Sequence, residues 1–229
     1  TFIAGPAGDA RAGVRVGHRV LDIEAASRVN GEPLPSSVRG LLAAGRGALS
    51  RVRALAKAAV TETGSFSHAM HEERAMRLLA PVPDAPVARD APKPACVGAP
   101  ALVFVIGSQA RAIGRDDALD VAGITLLLDL HGGPLVGPEI VTADEIGDPG
   151  DLSIAWSVNG ALRARSNAAA AFDRFPALLE QSTRESAAEP GDLFAAAIPL
   201  LPAAAEWPAA RLGDVFEWAI EGVARLRAA

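Results

Sequence analysis

Apolar positions recur along this chain at two different periods, and the change from one to the other divides it. Over 36–61, Val38, Leu41, Leu42, Leu49, Val52, Leu55 and Ala59 stand three and four apart, the spacing of one helical face. Ser36 or Ser37 is placed to cap its start, and Gly45 and Gly47 predict a break into two helices. Ahead of it, G-V-R-V-G-H-R-V-L-D predicts strands over 14–16 and 19–21 joined by a turn at Gly17 and His18, a hairpin. Beyond Pro94 the apolar residues gather into short runs at 101–107, 123–130, 152–158, 192–198 and 215–221, mostly bounded by Gly, Pro or Asp, which predict strands. Helices are expected over 115–121 and over 172–185, where Phe172, Phe175, Leu178 and Leu179 share a face. The expected organisation is a small domain over 1–80 (hairpin plus helices), a proline-rich linker over 81–94 and a core domain over 95–229. The class is α+β, mainly β, with a closed or rolled sheet.

Length and charge narrow the function. A chain of 229 residues that is 50% hydrophobic buries a sizeable core. Its net charge of -5, with both signs interspersed, offers no basic stripe of the kind a phosphate backbone requires, so nucleic acid is not an expected partner. No apolar run approaches the ~18 residues of a membrane span, and no membrane partner is expected. The single cysteine, Cys96, cannot form an internal disulfide, and cytoplasm is the expected compartment.

The most specific segment is 136–167, which includes G-P-E-I-V-T-A-D-E-I-G-D-P at 137–149 and V-N-G at 158–160, with P-G-D at 190–192 and G-D-V-F-E at 213–217 further on. V-F-V-I-G at 103–107 and D-D-A-L-D-V-A-G-I-T-L-L-L-D at 116–129 precede it. Together these resemble the fumarylacetoacetate hydrolase family, over about 12–226. The hairpin-then-helices order at the start is similar to the small N-terminal domain of many members. The resemblance implies a rolled, mixed β-sheet barrel of that family's C-terminal type, carrying a small N-terminal α+β domain. It also implies a dimer, and a chemistry that cleaves, decarboxylates, hydrates or isomerises small 2-oxo and 1,3-dioxo acids on Mg2+ or Ca2+.

What the resemblance implies for the metal conflicts with the residues present. The family holds its cation with a Glu-x-Glu pair before the V-I-G strand and with the Asp that ends the next strand. Residues i and i+2 of a strand share one face, so two carboxylates there converge with a third from a neighbouring strand. In this chain the two Glu positions fall on Ala99 and Ala101, flanking Pro100, and only Asp129 remains. The family's N-Y-x-x-H-x-x-E segment is missing, since A-C-V-G at 95–98 runs straight into A-P-A-L-V-F-V-I-G. Gly132, Gly133 and Pro134 bridge the place of an S-x-R-D stretch and a later lysine, and A-A-A-I-P-L-L-P at 195–202 replaces a T-G-T-P-x-G loop.

Asp129 and His131 are therefore the candidate catalytic pair, an acid and an imidazole two apart on a strand, and Asp129 is the one candidate metal ligand. No cofactor is expected to bind well. His68 and His71 with Glu72 form a weaker metal candidate, one helical turn apart. Cys96 reads as an inert thiol and Trp156, Trp207 and Trp218 as core or interface anchors; Glu139, Asp144 and Glu145 read as loop and turn residues, with Asp144 capping backbone amides. Three functions follow. One is a family member without metal-dependent hydrolase activity, acting as a structural or regulatory partner in a homodimer or a heteromer with an active paralogue. Another is a diverged, metal-independent enzyme that binds an apolar small molecule in the vacated space, with Asp129 and His131 as its polar groups. A residual hydrolase or decarboxylase of 2-oxo or 1,3-dioxo acids is the third.

Overall fold

The computed structural model describes residues 1–4, 8–29, 31–62, 64–89, 99–111, 121–130, 133–148, 151–198, 211, 213–221 and 223–228. The chain forms two compact units, Thr1–Asp84 and Ala85–Ala229. The first holds strands β1 (Phe2–Ala4), β2 (Ala10–Arg11), β3 (Gly13–Val16), β4 (Arg19–Asp22), β5 (Met70–Glu72) and β6 (Met76–Leu78) and helices α1 (Ile23–Arg28), α2 (Val38–Ala43) and α3 (Gly45–Thr61). The β3–β4 hairpin sits where the alternation places it, with Val14 opposite Leu21, and β5 adds to its edge. Ser37 caps α2 by accepting from the Gly40 amide, and Asp22 caps α1 by accepting from the Ala25 amide. The helical run breaks before Gly45, while Gly47 lies inside α3.

The second unit holds β7 (Val87–Arg89), β8 (Ala99–Ile106), β9 (Val121–Leu130), β10 (Gly133–Val136), β11 (Val141–Thr142), β12 (Ser153–Val158), β13 (Ala161–Asn167), β14 (Leu193–Ala197), β15 (Phe216–Ile220) and β16 (Ala224–Ala228). Its helices are α4 (Ala143–Ile146) and α5 (Ala169–Thr183). One sheet runs β10-β9-β8-β14-β7, with β11 also on β9; the other runs β13-β12-β15-β16. Only β14 and β7 pair in parallel within these sheets, so the larger sheet is mixed. It is curled into a half-barrel, and the unit is mainly β with few helices, as expected.

One core joins both sheets to α5. Leu102, Phe104, Ile124, Leu126, Leu128 and Phe194 face Ile154, Trp156, Trp218 and Ile220. Phe175 of α5 stacks on Phe104 at 4.1 Å and Phe172 meets it edge-on at 4.9 Å, so the helical face expected for 172–185 is the one that packs. Trp156 and Trp218 are core residues; Trp207 and Cys96 lie outside the described residues.

Three expectations change. The span expected as linker contains β7, because Val87, Ala88 and Arg89 complete the hydrogen bonding of β14. The helix expected over 115–121 lies outside the described residues except for Val121, which opens β9. His68 and His71 do not share a helix: His68 lies in a 3-10 turn and His71 on β5, packed against the Phe2 ring at 5.7 Å.

The phrases at 158–160 and 213–215 form one lock. Asn159 takes a left-handed φ of 53° in the turn between β12 and β13, with Gly160 behind it. Its side-chain amide donates to Asp214 Oδ1 at 2.9 Å and accepts from the Val215 amide at 2.9 Å, which fixes the turn to the start of β15. Asp214 also accepts from the Arg211 amide. The Asn159 hydrogen bond, followed by that from Arg211, holds the Asp214 carboxyl below the ordinary aspartate range. Its contribution to stability is accordingly present above that range and lost as pH falls through the lowered value. NMR titration is expected to place Asp214 below an ordinary aspartate and to show Asn159→Ala moving it back up; an unmoved midpoint would contradict the lock. Close approach sets a second test. A Cβ on Gly123 would stand 2.1 Å from the Val141 carbonyl oxygen, so Gly123→Ala forces β11 off β9 and is expected to lower stability by about 3 kcal/mol in urea unfolding. An unchanged midpoint would show that the β9–β11 contact yields freely.

Candidate functional site

The register of β8 on β9 decides which residues meet. Ala99 stands opposite Asp129, Ala101 opposite Leu127 and Val103 opposite Thr125. Paired residues share a face, and side chains alternate along each strand, so Asp129, Leu127 and Thr125 lie on the face opposite to Leu126, Leu128 and the main core. On β14 the same face carries Ala195, opposite Val103, and Ala197, opposite Ala101. On β7 it carries Arg89, which registers with Ala195. Of the two positions that the resemblance assigned to glutamates, 101 thus does lie on this face, near Asp129, and it is an alanine; Ala99 pairs with Asp129 through the backbone.

Asp129 is 3% exposed and its carboxylate is fully engaged. Arg89 Nη1 donates to Oδ2 at 2.6 Å and Nη2 to Oδ1 at 2.9 Å, a bidentate pair. Arg89 is on β7 and Asp129 on β9, with β14 and β8 between them. In a flat sheet three strand spacings amount to about 14 Å, more than an arginine and an aspartate side chain together cover. The curl of the sheet closes that gap. The small residues that β14 and β8 present on the way, Ala195, Ala197 and Ala101, leave room for a side chain to cross above them. Thr125, further along the same face, is 1% exposed and its hydroxyl has no hydrogen-bond partner.

This donor set does not fit a divalent cation. A hard ion such as Mg2+ or Mn2+ takes octahedral oxygen coordination, and among the described residues the face offers one carboxylate, with both oxygens already accepting from a guanidinium. A divalent ion about 4 Å from that guanidinium would be repelled by about 8 kcal/mol at an effective dielectric near 20. Among the described residues no three His, Cys, Asp or Glu side chains cluster to hold a metal, which also removes the His68, His71 and Glu72 candidate. His131, the expected partner of Asp129, lies outside the described residues; the partner that is seen is Arg89. Arg89 carried little signal in the sequence, being one basic residue in a proline-rich stretch, and only strand pairing brings it to Asp129.

Asp144 lies in the first turn of α4 and Ile146 is buried beneath it, so the D-E-I of the signature serves a turn. β10 follows the seam after Leu130 and pairs back on β9: Gly133 with Leu130 and Pro134 with Asp129. Pro134 lacks an amide hydrogen and is tolerated because β10 is an edge.

Residues 130–229 match the family model described as fumarylacetoacetate (FAA) hydrolase C-terminal. The chain is 31% identical over 113 residues to maleylpyruvate hydrolase of Aquipseudomonas alcaligenes, covering 43% of this chain and 39% of that protein. It is 32% identical over 120 residues to a mitochondrial oxaloacetate tautomerase of Xenopus laevis, covering 43% and 37%. The chain therefore spans about two fifths of the length of these relatives. Its fold is similar to the crystal structure of maleylpyruvate hydrolase from Sphingobium sp. SYK-6, with a TM-score of 0.67 at 20% identity, covering 99% of this chain and 97% of that one. That hydrolase has also been crystallised with manganese(II) and pyruvate. The match over residues 130–229 and the signature phrases support membership of the fumarylacetoacetate hydrolase superfamily, and the curled mixed sheet shares its fold with maleylpyruvate hydrolase over the whole chain.

Proposed function

We propose that this protein does not carry out metal-dependent carbon–carbon bond hydrolysis and acts instead as a structural or regulatory member of its superfamily, as a homodimer or in a heteromer with an active paralogue. The observation that carries the reading is the state of Asp129. Among the described residues it is the one carboxylate on the face where the resemblance places three, and both of its oxygens accept from Arg89. Ala99 and Ala101 supply no oxygen in its place. A carboxylate so paired has its charge already neutralised and attracts a divalent ion weakly, and the methyl group of Ala101 cannot polarise a substrate carbonyl.

Catalysis by the superfamily depends on holding a 2-oxo or 1,3-dioxo acid against a cation, so loss of the cation site removes the chemistry while the sheet and its core persist. Assays of the purified protein on acylpyruvates, with Mg2+ or Mn2+ added, are expected to give no turnover above the metal-free background. Turnover that disappears on chelation would overturn the reading. Light scattering on the metal-free protein, alone and co-expressed with an active paralogue, is expected to show a stable dimer in at least one of the two; a monomer in both would remove the structural role.

A further inference from the structure

We propose that Arg89 is a built-in cation, which neutralises Asp129 in the way a bound divalent ion would and makes the curled sheet independent of metal. This rests on the reading of Asp129 given above, and extends it from what the site has lost to what has taken its place.

A carboxylate that is 3% exposed cannot stand alone, because burial strips its hydration and leaves the charge uncompensated. A positive group facing it offsets that cost. In this chain that group comes from β7, the far edge of the larger sheet, and reaches β9 over two intervening strands. The pairing does more than cancel charge. Among the described residues β7 is three residues long and pairs with β14 alone, so its backbone gives it few ties to the sheet. The two charge-assisted hydrogen bonds to Asp129 attach it to a second strand and span the concave side of the curl. Arginine suits the position: its planar fork presents two parallel N–H groups to one carboxylate, and it stays charged at any physiological pH. Alanine at 101, 195 and 197 belongs to the same arrangement, since longer side chains there would block the crossing.

Thermal unfolding of the full chain, with and without millimolar Mn2+, tests this without reference to turnover. Wild type is expected to melt at the same temperature in both conditions. Arg89→Ala strands the buried carboxylate and is expected to melt about 10 °C lower, with part of that loss recovered when Mn2+ supplies a cation to Asp129. The double variant Arg89→Met with Asp129→Leu removes both charges and is expected to melt close to wild type and to ignore Mn2+. Should Arg89→Ala fail to fold, the double variant still decides, because it must fold if charge compensation is the role of Arg89. A wild-type melting point raised by Mn2+, an Arg89→Ala melting point equal to wild type, a double variant as unstable as the single, or an equal response of single and double variants to Mn2+ would each overturn the proposal. Metal-dependent hydrolysis would sink the functional reading, whereas unchanged melting of Arg89→Ala would sink this one.

Discussion

A buried carboxylate paired with a guanidinium organises one face of the larger sheet. Asp129 sits at the end of β9, almost wholly withdrawn from water, and the guanidinium of Arg89 is its compensation. Three other features follow from that one requirement. The sheet has to curl far enough for β7 to reach β9; the strands between have to carry small residues; and β7 itself has to pair with β14 to bring Arg89 into range. Breaking such a pair by removing one partner typically destabilises by about 3–5 kcal/mol, whereas replacing both partners by apolar groups is often neutral. The interaction is thus better understood as a constraint on which residues tolerate each other than as a source of net stability.

The phrases that identify the superfamily prove to be structural. V-N-G and G-D-V meet through Asn159, Asp214 and Val215, and hold the β12–β13 turn against β15. P-G-D makes a second staple, in which Asp192 accepts from the Glu189 amide while Gly191 and Asp192 exchange backbone bonds with Ile106 at the end of β8. Fixed geometry at these corners keeps β8, β12 and β15 in register, whatever the chemistry at positions 99, 101 and 129. The residues that hold these corners are distinct from those at positions 99, 101 and 129, so the fold does not depend on the latter.

How much of this was legible in the sequence depended on burial. β8, β9, β12, β14 and β15 have mostly buried, apolar residues and were all expected, as was the Phe172–Leu179 face of α5. β13 was not, because Ala161, Leu162 and Arg163 are exposed and the strand shows no alternation. In the sequence β10 shows only a Gly-Gly-Pro connection, and β7 only a proline-rich linker. These are edge strands, held by backbone hydrogen bonds to a neighbour more than by a periodic apolar face, so they leave little trace in composition. Asp129 was found by its place in a motif. Arg89 was not, since its partner is 40 residues away and the pairing exists only once the sheet has curled.

The central claim is that Asp129 is committed to Arg89 and holds no metal. Electron paramagnetic resonance of added Mn2+ reads this directly, because the sharp signal of the free aqueous ion is lost on binding. The account predicts a free-ion signal that rises in proportion to the Mn2+ added, as it does in buffer alone. Loss of a full equivalent of signal per chain, restored by Asp129→Asn, would contradict it.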